Sequence, residues 1–331
     1  MPRCPGISRL LMIGLIGCSA SHSVTSSQEP GSGVLGIPFE LDDNLIYVRV
    51  SVNGSVPLSF ILDTGAPSIV HTRLARPASL SLKLVGQSTG IGASQQDVYV
   101  VSGVVSFQLP GIAYSPQRLL ATSLDAVEAC VAEITIDEQG RNVPPVINGM
   151  ARLKRRVDGI LGREFFDRFV VEIDYGRRRL NLYDPSSYRY VGTGERVPLE
   201  VRDPHVFARG LVTASGADPV SGRFLVDTGS GLALTVVKSF SERHNLMPDT
   251  EGMTRLPVCG IGGHTSEVSW LGIMEELRLG NVSVARPVTE FRLSAPNTDA
   301  DGFIGGAALR RFNVVFDYSR RVMILEPRSD R

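Results

Sequence analysis

Two short stretches of the chain share one pattern of apolar and polar positions. Each contains three consecutive apolar residues, Phe60–Leu62 in the first copy and Phe224–Val226 in the second, followed directly by Asp-Thr-Gly. A short apolar run that ends in a turn sequence is typical of a buried strand. Because a carboxylate at the end of a buried strand is costly unless it is paired or hydrogen-bonded, the pattern singles out Asp63 and Asp227.

The landmarks around these stretches recur in the same order, which indicates a tandem repeat. Three pairs of segments correspond: Ile37–Glu40 with Val197–Glu200, Asp158–Gly162 with Asp301–Gly305, and Asp174–Arg178 with Asp317–Arg321. Corresponding residues are 160 positions apart in the first pair, 164 apart for Asp63 and Asp227, and 143 apart in the other two pairs. The changes in separation therefore fall between the landmarks, in predicted loops.

Each copy predicts a similar succession of short β-strands with one short helix. In the first copy, Asn44–Val52 is a strand, Asn53-Gly54 is a strong hairpin-turn sequence, and Val56–Leu62 is the return strand. Later in each copy a short helix precedes a β-hairpin: Arg163–Phe169 with Val170–Tyr183, and Ala307–Phe312 with Val314–Leu325. The chain of 331 residues is long enough for two such halves of ~150 residues, each with its own core.

These features together resemble the aspartic peptidases over nearly all of the chain after its leader. The resemblance rests on three landmarks in each copy: the Asp-Thr-Gly-Ala/Ser turn, a glycine-rich Gly-Ile-Gly stretch, and an apolar-apolar-Gly strand. Within that family the chain is most similar to the retropepsin-like bacterial aspartyl proteases, here in a fused two-lobe form. The resemblance implies a mostly β fold with two similar retropepsin/pepsin-like β-barrel lobes, short helices, and an active site in the cleft between the lobes.

The resemblance also implies an aspartic endopeptidase with Asp63 and Asp227 as its catalytic residues. Two carboxylates held ~3 Å apart cannot easily both ionise and so share one proton; aspartic proteases are the standard example. The ionised member acts as a general base on a water molecule, and the protonated member assists the carbonyl oxygen and then the leaving nitrogen. Which aspartate holds the proton stays open at this point. The alternative function is a catalytically silent peptide-binding envelope lipoprotein with the same fold.

The residues that follow the two aspartates have implied supporting roles. The dyad-supporting residues are Thr64, Gly65, Thr228 and Gly229. The threonines would hydrogen-bond across the lobe interface, with capping of their own turns as the alternative. The glycines permit a close approach of the backbone that a side chain would block. Asp158 and Asp301, which adjoin the apolar-apolar-Gly strands, are interpreted as structural.

Glycine-rich stretches begin 27 and 33 residues after the two aspartates. The resemblance implies that each forms a hairpin flap that closes over substrate. The implied flap tips are Gly90, Gly92, Gly260, Gly262 and Gly263. Two ordinary glycine hairpins remain the alternative.

The first copy is longer than the second by 21 positions, mostly within residues 125–157. We interpret this insertion as a solvated surface loop, with a cleft-rim loop as the alternative. Cys130 lies within it, and Cys259 adjoins the second glycine tip. The two cysteines could pair in an oxidising envelope, but two unpaired thiols are preferred because spacing does not establish proximity.

The first 17 residues have the pattern of a signal peptide, with arginines before a short apolar run. The run ends in Leu15–Cys18, which resembles a bacterial lipobox, so Cys18 is expected to become a lipidated first residue. Ordinary cleavage near Ala20 is the alternative. Residues 18–34 are predicted to be a flexible tether, or simply disordered. The first lobe is then 35–190 and the second 191–331, with the protein anchored in the bacterial cell envelope, at the outer membrane or the periplasmic face.

Composition narrows the expected partners. Lys plus Arg and Asp plus Glu both number 34, so no net field favours nucleic acid. The sequence contains no His-Glu-x-x-His motif and no phosphate-binding loop, so neither a metal nor a cofactor is expected. The expected partners are a peptide or protein substrate and the membrane, through the lipid anchor. Because one polypeptide supplies both aspartates, the protein is expected to be monomeric.

The lipobox predicts that Cys18→Ala abolishes membrane anchoring, because stable anchoring requires the acyl chains that this cysteine would carry. The measurement is fractionation of the mature protein, with mass spectrometry of its N-terminus. Release of the unaltered protein into the soluble periplasm, with no lipid on its N-terminus, would contradict the prediction.

Overall fold

The structure is a computed structural model that describes residues 33–88, 94–128, 131–135, 146–151, 155–202, 205–247, 250, 253–293 and 299–328. The predicted signal peptide, the lipidation site Cys18 and most of the predicted tether lie outside these residues, as do Gly90, Gly92 and Cys130. Gly33 and Val34, assigned to the tether from sequence, instead belong to the first strand.

The first half of the chain consists mainly of short strands. They are β1 Gly33–Asp42, β2 Leu45–Val52, β3 Leu58–Leu62, β4 Ile69–His71, β5 Ser81–Ser88, β6 Gln96–Ser102, β7 Phe107–Leu109, β8 Ile112–Tyr114, β9 Leu120–Thr122, β10 Val131–Thr135, β11 Val146–Ala151, β12 Gly159–Leu161, β13 Val170–Asp174 and β14 Arg179–Tyr183. Two short helices accompany them, α1 Asp125–Glu128 and α2 Arg163–Arg168, with a 3₁₀ turn at Thr72–Leu74.

The second half repeats this composition. Its strands are β15 Glu195–Arg202, β16 His205–Thr213, β17 Val220–Asp227, β18 Leu234–Val236, β19 Thr254–Gly260, β20 Gly263–Ile273, β21 Glu276–Leu279, β22 Val282–Ala285, β23 Val288–Phe291, β24 Gly302–Gly305, β25 Phe312–Asp317 and β26 Val322–Pro327. Its helices are α3 Lys238–Arg243 and α4 Gly306–Leu309, with a 3₁₀ turn at Tyr318–Arg320. The predicted helix-then-hairpin units are present in both halves.

The two halves pair their strands in the same spatial order. In the first lobe the order is β2-β3-β12-β4-β9-β6-β5, and in the second it is β16-β17-β24-β18-β23-β20-β19. Corresponding strand pairs also have the same relative direction. For example, β3 runs parallel to β12 in the first lobe, and β17 runs parallel to β24 in the second. The fold is therefore mostly β, with two similar lobes, as the sequence repeat predicts.

A third sheet joins the lobes. Its strands follow the antiparallel order β1-β14-β13-β25-β26-β15, with the pairing of β13 to β25 at its centre. Val171 of β13 lies opposite Phe316 of β25, so the join consists of backbone hydrogen bonds and buried side chains. The predicted lobe boundary at residues 190 and 191 falls between β14 and β15 and stays a prediction.

The β2–β3 hairpin shows how the sequence sets the local geometry. Asn53 and Gly54 both have positive φ, 49° and 77°, at the centre of a primed-type turn that is closed by a hydrogen bond from the N–H of Ser55 to the carbonyl of Val52. The returning strand β3 buries Phe60 and Leu62 completely, and in the second lobe β17 buries Phe224 and Val226 in the same way. The burial of these apolar residues fixes the position at which each strand ends, immediately before the Asp-Thr-Gly turn.

Residues 125–157, interpreted from sequence as a solvated surface loop, contain regular secondary structure where the structure describes them, so the prediction of a loop is wrong. The segment begins with α1 and continues into an antiparallel hairpin formed by β10 and β11. Weak apolar periodicity concealed these elements, because a four-residue helix and a two-stranded hairpin need little of it.

Among the described residues, no helix has both the length and the apolar character needed to cross a bilayer.

The joining sheet predicts that Phe316→Ala strongly destabilises the protein. Phe316 is fully buried and packs edge-to-face on Phe166, with ring centroids 5.4 Å apart. Deleting a buried aromatic ring leaves a cavity, so the free energy of unfolding should fall by about 3–5 kcal/mol. Urea unfolding measures it, and Val56→Ala, at a residue 76% exposed, should cost less than ~0.5 kcal/mol. Equal effects from the two variants would contradict this account of the sheet.

Candidate active site

The two Asp-Thr-Gly turns have the same local structure. Asp63 follows the end of β3 and Asp227 ends β17, and each carboxylate accepts a hydrogen bond from the glycine of its own turn. The N–H of Gly65 donates to Oδ1 of Asp63 at 2.7 Å, and the N–H of Gly229 donates to Oδ1 of Asp227 at 2.9 Å. Each turn thereby fixes the direction of its carboxylate.

Thr64 and Thr228 connect the two turns across the lobe interface. The hydroxyl of Thr64 accepts from the backbone N–H of Thr228 at 3.0 Å and donates to the carbonyl of Val226 at 2.7 Å. The hydroxyl of Thr228 accepts from the N–H of Thr64 at 3.0 Å and donates to the carbonyl of Leu62 at 2.8 Å. Both threonines are buried. Their hydrogen bonds show that each side chain caps the opposite turn rather than its own.

The glycines of the turns lie against the opposite aspartates. A Cβ atom on Gly65 would lie 2.9 Å from Cγ of Asp227, closer than real contacts allow. A Cβ atom on Gly229 would overlap the carboxylate of Asp63. Close approach, rather than an unusual backbone angle, therefore requires glycine here, and it places the two carboxyl groups within hydrogen-bonding distance of each other.

Burial and mutual repulsion control the ionisation of the pair. Burial raises the pKa of Asp63 well above its ordinary value, and the negative charge of Asp227 raises it further. Burial also raises the pKa of Asp227, although the backbone hydrogen bond from Gly229 and the positive charge of Arg292 act against that rise. Each aspartate keeps some exposed surface while protein atoms surround most of its carboxyl group. The pair thus remains open to the cleft yet retains a proton more readily than two isolated carboxyl groups.

A buried polar network on the Asp227 side was not found from sequence. Glu290, only 2% exposed, accepts hydrogen bonds from the Thr235 hydroxyl at 2.9 Å and from Nε of Arg292 at 3.0 Å. The strand registers place Ile69 and Leu120 at the positions that correspond to Thr235 and Glu290 in the first lobe. A glutamate beside Phe291 in a short strand, followed two residues later by an arginine, was the available sequence signal. The network makes the two sides of the dyad electrostatically different.

Asp158 and Asp301 are structural, as interpreted from sequence. Oδ2 of Asp158 accepts the N–H of Ser59 at 3.0 Å, and Oδ2 of Asp301 accepts the N–H of Arg223 at 2.9 Å. Each aspartate therefore binds the backbone of the strand that leads to an Asp-Thr-Gly turn, at the residue just before the apolar triplet.

The hairpin β19–β20 contains the second set of predicted flap tips. Gly260 and Gly263 pair across it, and Gly263 has a left-handed φ of 78° that favours glycine. The carbonyl of Gly262 accepts a hydrogen bond from the N–H of Ser94, in the first lobe, at 2.9 Å. The second-lobe hairpin therefore reaches the first lobe, while the tip glycines Gly90 and Gly92 lie outside the described residues. The flap role itself stays a prediction.

Within the part of the chain that the structure describes, no group of three or more His, Cys, Asp or Glu side chains could hold a metal ion.

Comparison with known proteins supports the resemblance to aspartic peptidases. Residues 48–165 match a family model described as aspartyl protease, a range that contains the first Asp-Thr-Gly turn and β12. No curated protein matches the chain. Among solved structures, a similar chain is basic 7S globulin from soybean, at 12% identity and a TM-score of 0.46, over 91% of this chain and 96% of that one. The family match thus lies within the first lobe, and the second lobe is related to the first by the internal repeat.

The raised carboxyl pKa values predict how stability depends on pH. An aspartate whose folded-state pKa lies above its ordinary value holds its proton more tightly when folded, so stability is complete below pH ~3.9 and falls as pH rises through the folded pKa. Asp63→Asn removes this cost, so its melting temperature should exceed that of the wild type at pH 7 and approach it near pH 3. Asp218→Asn, at an exposed loop position, is the matched control. A lower melting temperature for Asp63→Asn at pH 7 would contradict the assignment.

Proposed function

We propose that the protein is an aspartic endopeptidase in which Asp63 and Asp227 share one proton and activate one water molecule. The observation that carries this proposal is the exchange of hydrogen bonds between Thr64 and Thr228, which brings the two carboxyl groups face to face. A structural carboxylate has no need of this arrangement, since Asp158 and Asp301 are satisfied by backbone N–H groups and arginines instead.

The chemistry follows from the difference between the two carboxyl groups. In this proposal the shared proton is assigned to Asp63, because the positive charge of Arg292 acts against the rise in the pKa of Asp227 and so favours its ionised form. Ionised Asp227 accepts a proton from a water molecule as the water oxygen forms a bond to the peptide carbonyl carbon. Asp63 donates its hydrogen bond, and then its proton, to the carbonyl oxygen. The resulting gem-diol breaks its C–N bond when Asp227 returns its proton to the leaving nitrogen and Asp63 recovers one from a hydroxyl group.

The same proposal includes the expected setting of the enzyme. The fused two-lobe, retropepsin-like form supports a monomer, because both turns come from one chain. The lipobox-like sequence before Cys18 supports anchoring in the bacterial cell envelope, where peptide or protein substrates would be cleaved. The silent peptide-binding alternative leaves two facing carboxyl groups without a purpose.

The proposal predicts that Asp63→Asn and Asp227→Asn each lower kcat/KM for peptide hydrolysis by at least ~10³-fold, because each leaves a carboxyl group without its partner. The double variant should lose little more, since residues that act as one unit are strongly non-additive. Asp218→Asn serves as the control.

Activity close to wild type in either single variant would contradict the shared-proton mechanism. A rate that rises with the square of protein concentration would instead show that the working site forms between two chains. If no peptide is cleaved by the wild type, the silent binding alternative would be favoured.

A further inference from the structure

The insertion in the first lobe begins with a helix, and the described residues of the second lobe show no helix at the corresponding place, between β23 and β24. From Asp63 to Asp158 the chain has 95 positions, against 74 from Asp227 to Asp301, and α1 lies within the surplus. We refer to α1 together with Val157, the residue at which the insertion returns, as the α1 platform. All of its residues, Asp125–Glu128 and Val157, are described by the structure.

A single arginine joins the two ends of this platform. Nη2 of Arg73 donates to Oε1 of Glu128 at 2.9 Å and to the carbonyl of Val157 at 2.8 Å. It also donates to Oδ1 of Asp158 at 3.1 Å, and Glu128 accepts the N–H of Val157 at 2.9 Å. The side chains of Arg73, Glu128 and Asp158 are 20%, 12% and 13% exposed, so solvent and salt screen these charges less than those of a surface ion pair.

His71 holds the first residue of the helix. Its Nδ1 accepts the N–H of Arg73 at 3.1 Å, so its Nε2 carries the hydrogen that is donated to Oδ1 of Asp125, also at 3.1 Å. Asp125 additionally accepts from the Ser123 hydroxyl at 2.9 Å. His71 is 3% exposed, so the start of α1 is bound to the buried end of β4.

The α1 platform contacts the β19–β20 hairpin of the second lobe. Ile261, between the paired glycines of β19–β20, packs against a buried first-lobe cluster that includes Leu124 and Val157, and Val127 of α1 packs against the same cluster. A Cβ atom on Gly263 would lie 3.8 Å from the Cβ atom of Ala126. Both β19 and β20 lie beside α1, whereas β5 of the other hairpin is almost entirely exposed. The second-lobe hairpin therefore spans the cleft and rests on the first lobe.

We propose that the α1 platform is a docking surface that holds the β19–β20 hairpin closed across the cleft, with Arg73 as its positioning residue. This inference rests on the proposed peptidase function. A peptide must pass beneath the hairpin to reach the carboxyl groups, so the hairpin leaves the platform for substrate entry and returns to it for reaction. The platform thus sets how much of the protein is in the closed form.

A reversible cross-link tests this directly. Ala126→Cys with Gly263→Cys places two Cβ atoms within the range of about 3.5–4.5 Å that a disulfide needs, in a chain where Cys130 and Cys259 are replaced by serine. Oxidised glutathione should form the bond, identified by peptide mass mapping. The oxidised protein should lose at least ~10-fold in kcat/KM, and dithiothreitol should restore the value of the reduced variant, because a fixed hairpin prevents substrate entry.

The reduced double-cysteine protein is the reference, because the left-handed backbone at Gly263 strains any side chain there. Failure of the disulfide to form would overturn the proposed contact. Full activity of the cross-linked protein would overturn the proposed opening of the hairpin.

A double-mutant cycle tests the role of Arg73 without the cross-link. Arg73→Gln and Ile261→Ala should each lower kcat/KM by roughly 5–30-fold, and the double variant should lose little more than either one, because both remove the same contact. A merely structural Arg73 would give effects that multiply, and that result would overturn its positioning role. Val56→Ala, at an exposed residue that precedes β3, is the control.

The single tryptophan of the chain, Trp270, lies on β20 and stacks with Arg255, whose guanidinium is 4.9 Å from the ring centroid. Its emission should shift in Ile261→Ala and not in Val56→Ala, and an unchanged spectrum would count against release of the hairpin. Cross-linking and emission do not require catalysis. If they succeed while Asp63→Asn leaves hydrolysis intact, the docking contact stands and the proposed dyad fails.

Discussion

The structure depends on the exchange of hydrogen bonds between Thr64 and Thr228. Each hydroxyl accepts a hydrogen bond from the N–H of the opposite threonine and donates one to a carbonyl of the strand that precedes that threonine. Each lobe therefore provides hydrogen-bond partners for buried backbone groups of the other lobe. Neither turn is complete without its partner. Because an unsatisfied buried polar group is costly, this exchange joins the lobes at one fixed register. The duplicated strand order and the joining sheet are the scaffold that brings the two threonines to this point.

The same exchange holds the carboxyl groups of Asp63 and Asp227 close together. Their electrostatic surroundings differ. Both carboxylates accept a backbone hydrogen bond from their own turn, and Asp227 also has the nearby positive charge of Arg292. In the first lobe, apolar residues at the positions of Thr235 and Glu290 contribute to the surface on which Ile261 packs. The two copies of the repeat have therefore diverged: at these positions the second lobe has polar and charged residues, and the first lobe has apolar ones.

Much of this could be predicted from the sequence, because the repeat carries its information locally. The apolar triplets specify β3 and the end of β17, and Asn53-Gly54 specifies the turn between β2 and β3. The helix α1 could not be predicted, because its position depends on long-range contacts from Arg73 and His71 rather than on its own four residues. Glu290 could not be assigned a role either, since its partners come together only after folding.

The central claim is that one chain holds two aspartates that share a proton, and carboxyl titration by NMR tests it most directly. Aspartate labelled with ¹³C at Cγ would be followed against pH in the wild type and in Asp63→Asn and Asp227→Asn. The structure predicts that the pair titrates in two well-separated steps, the upper one well above pH ~4 and absent from both variants. Two independent titrations near pH ~4, unchanged by loss of either partner, would contradict the account.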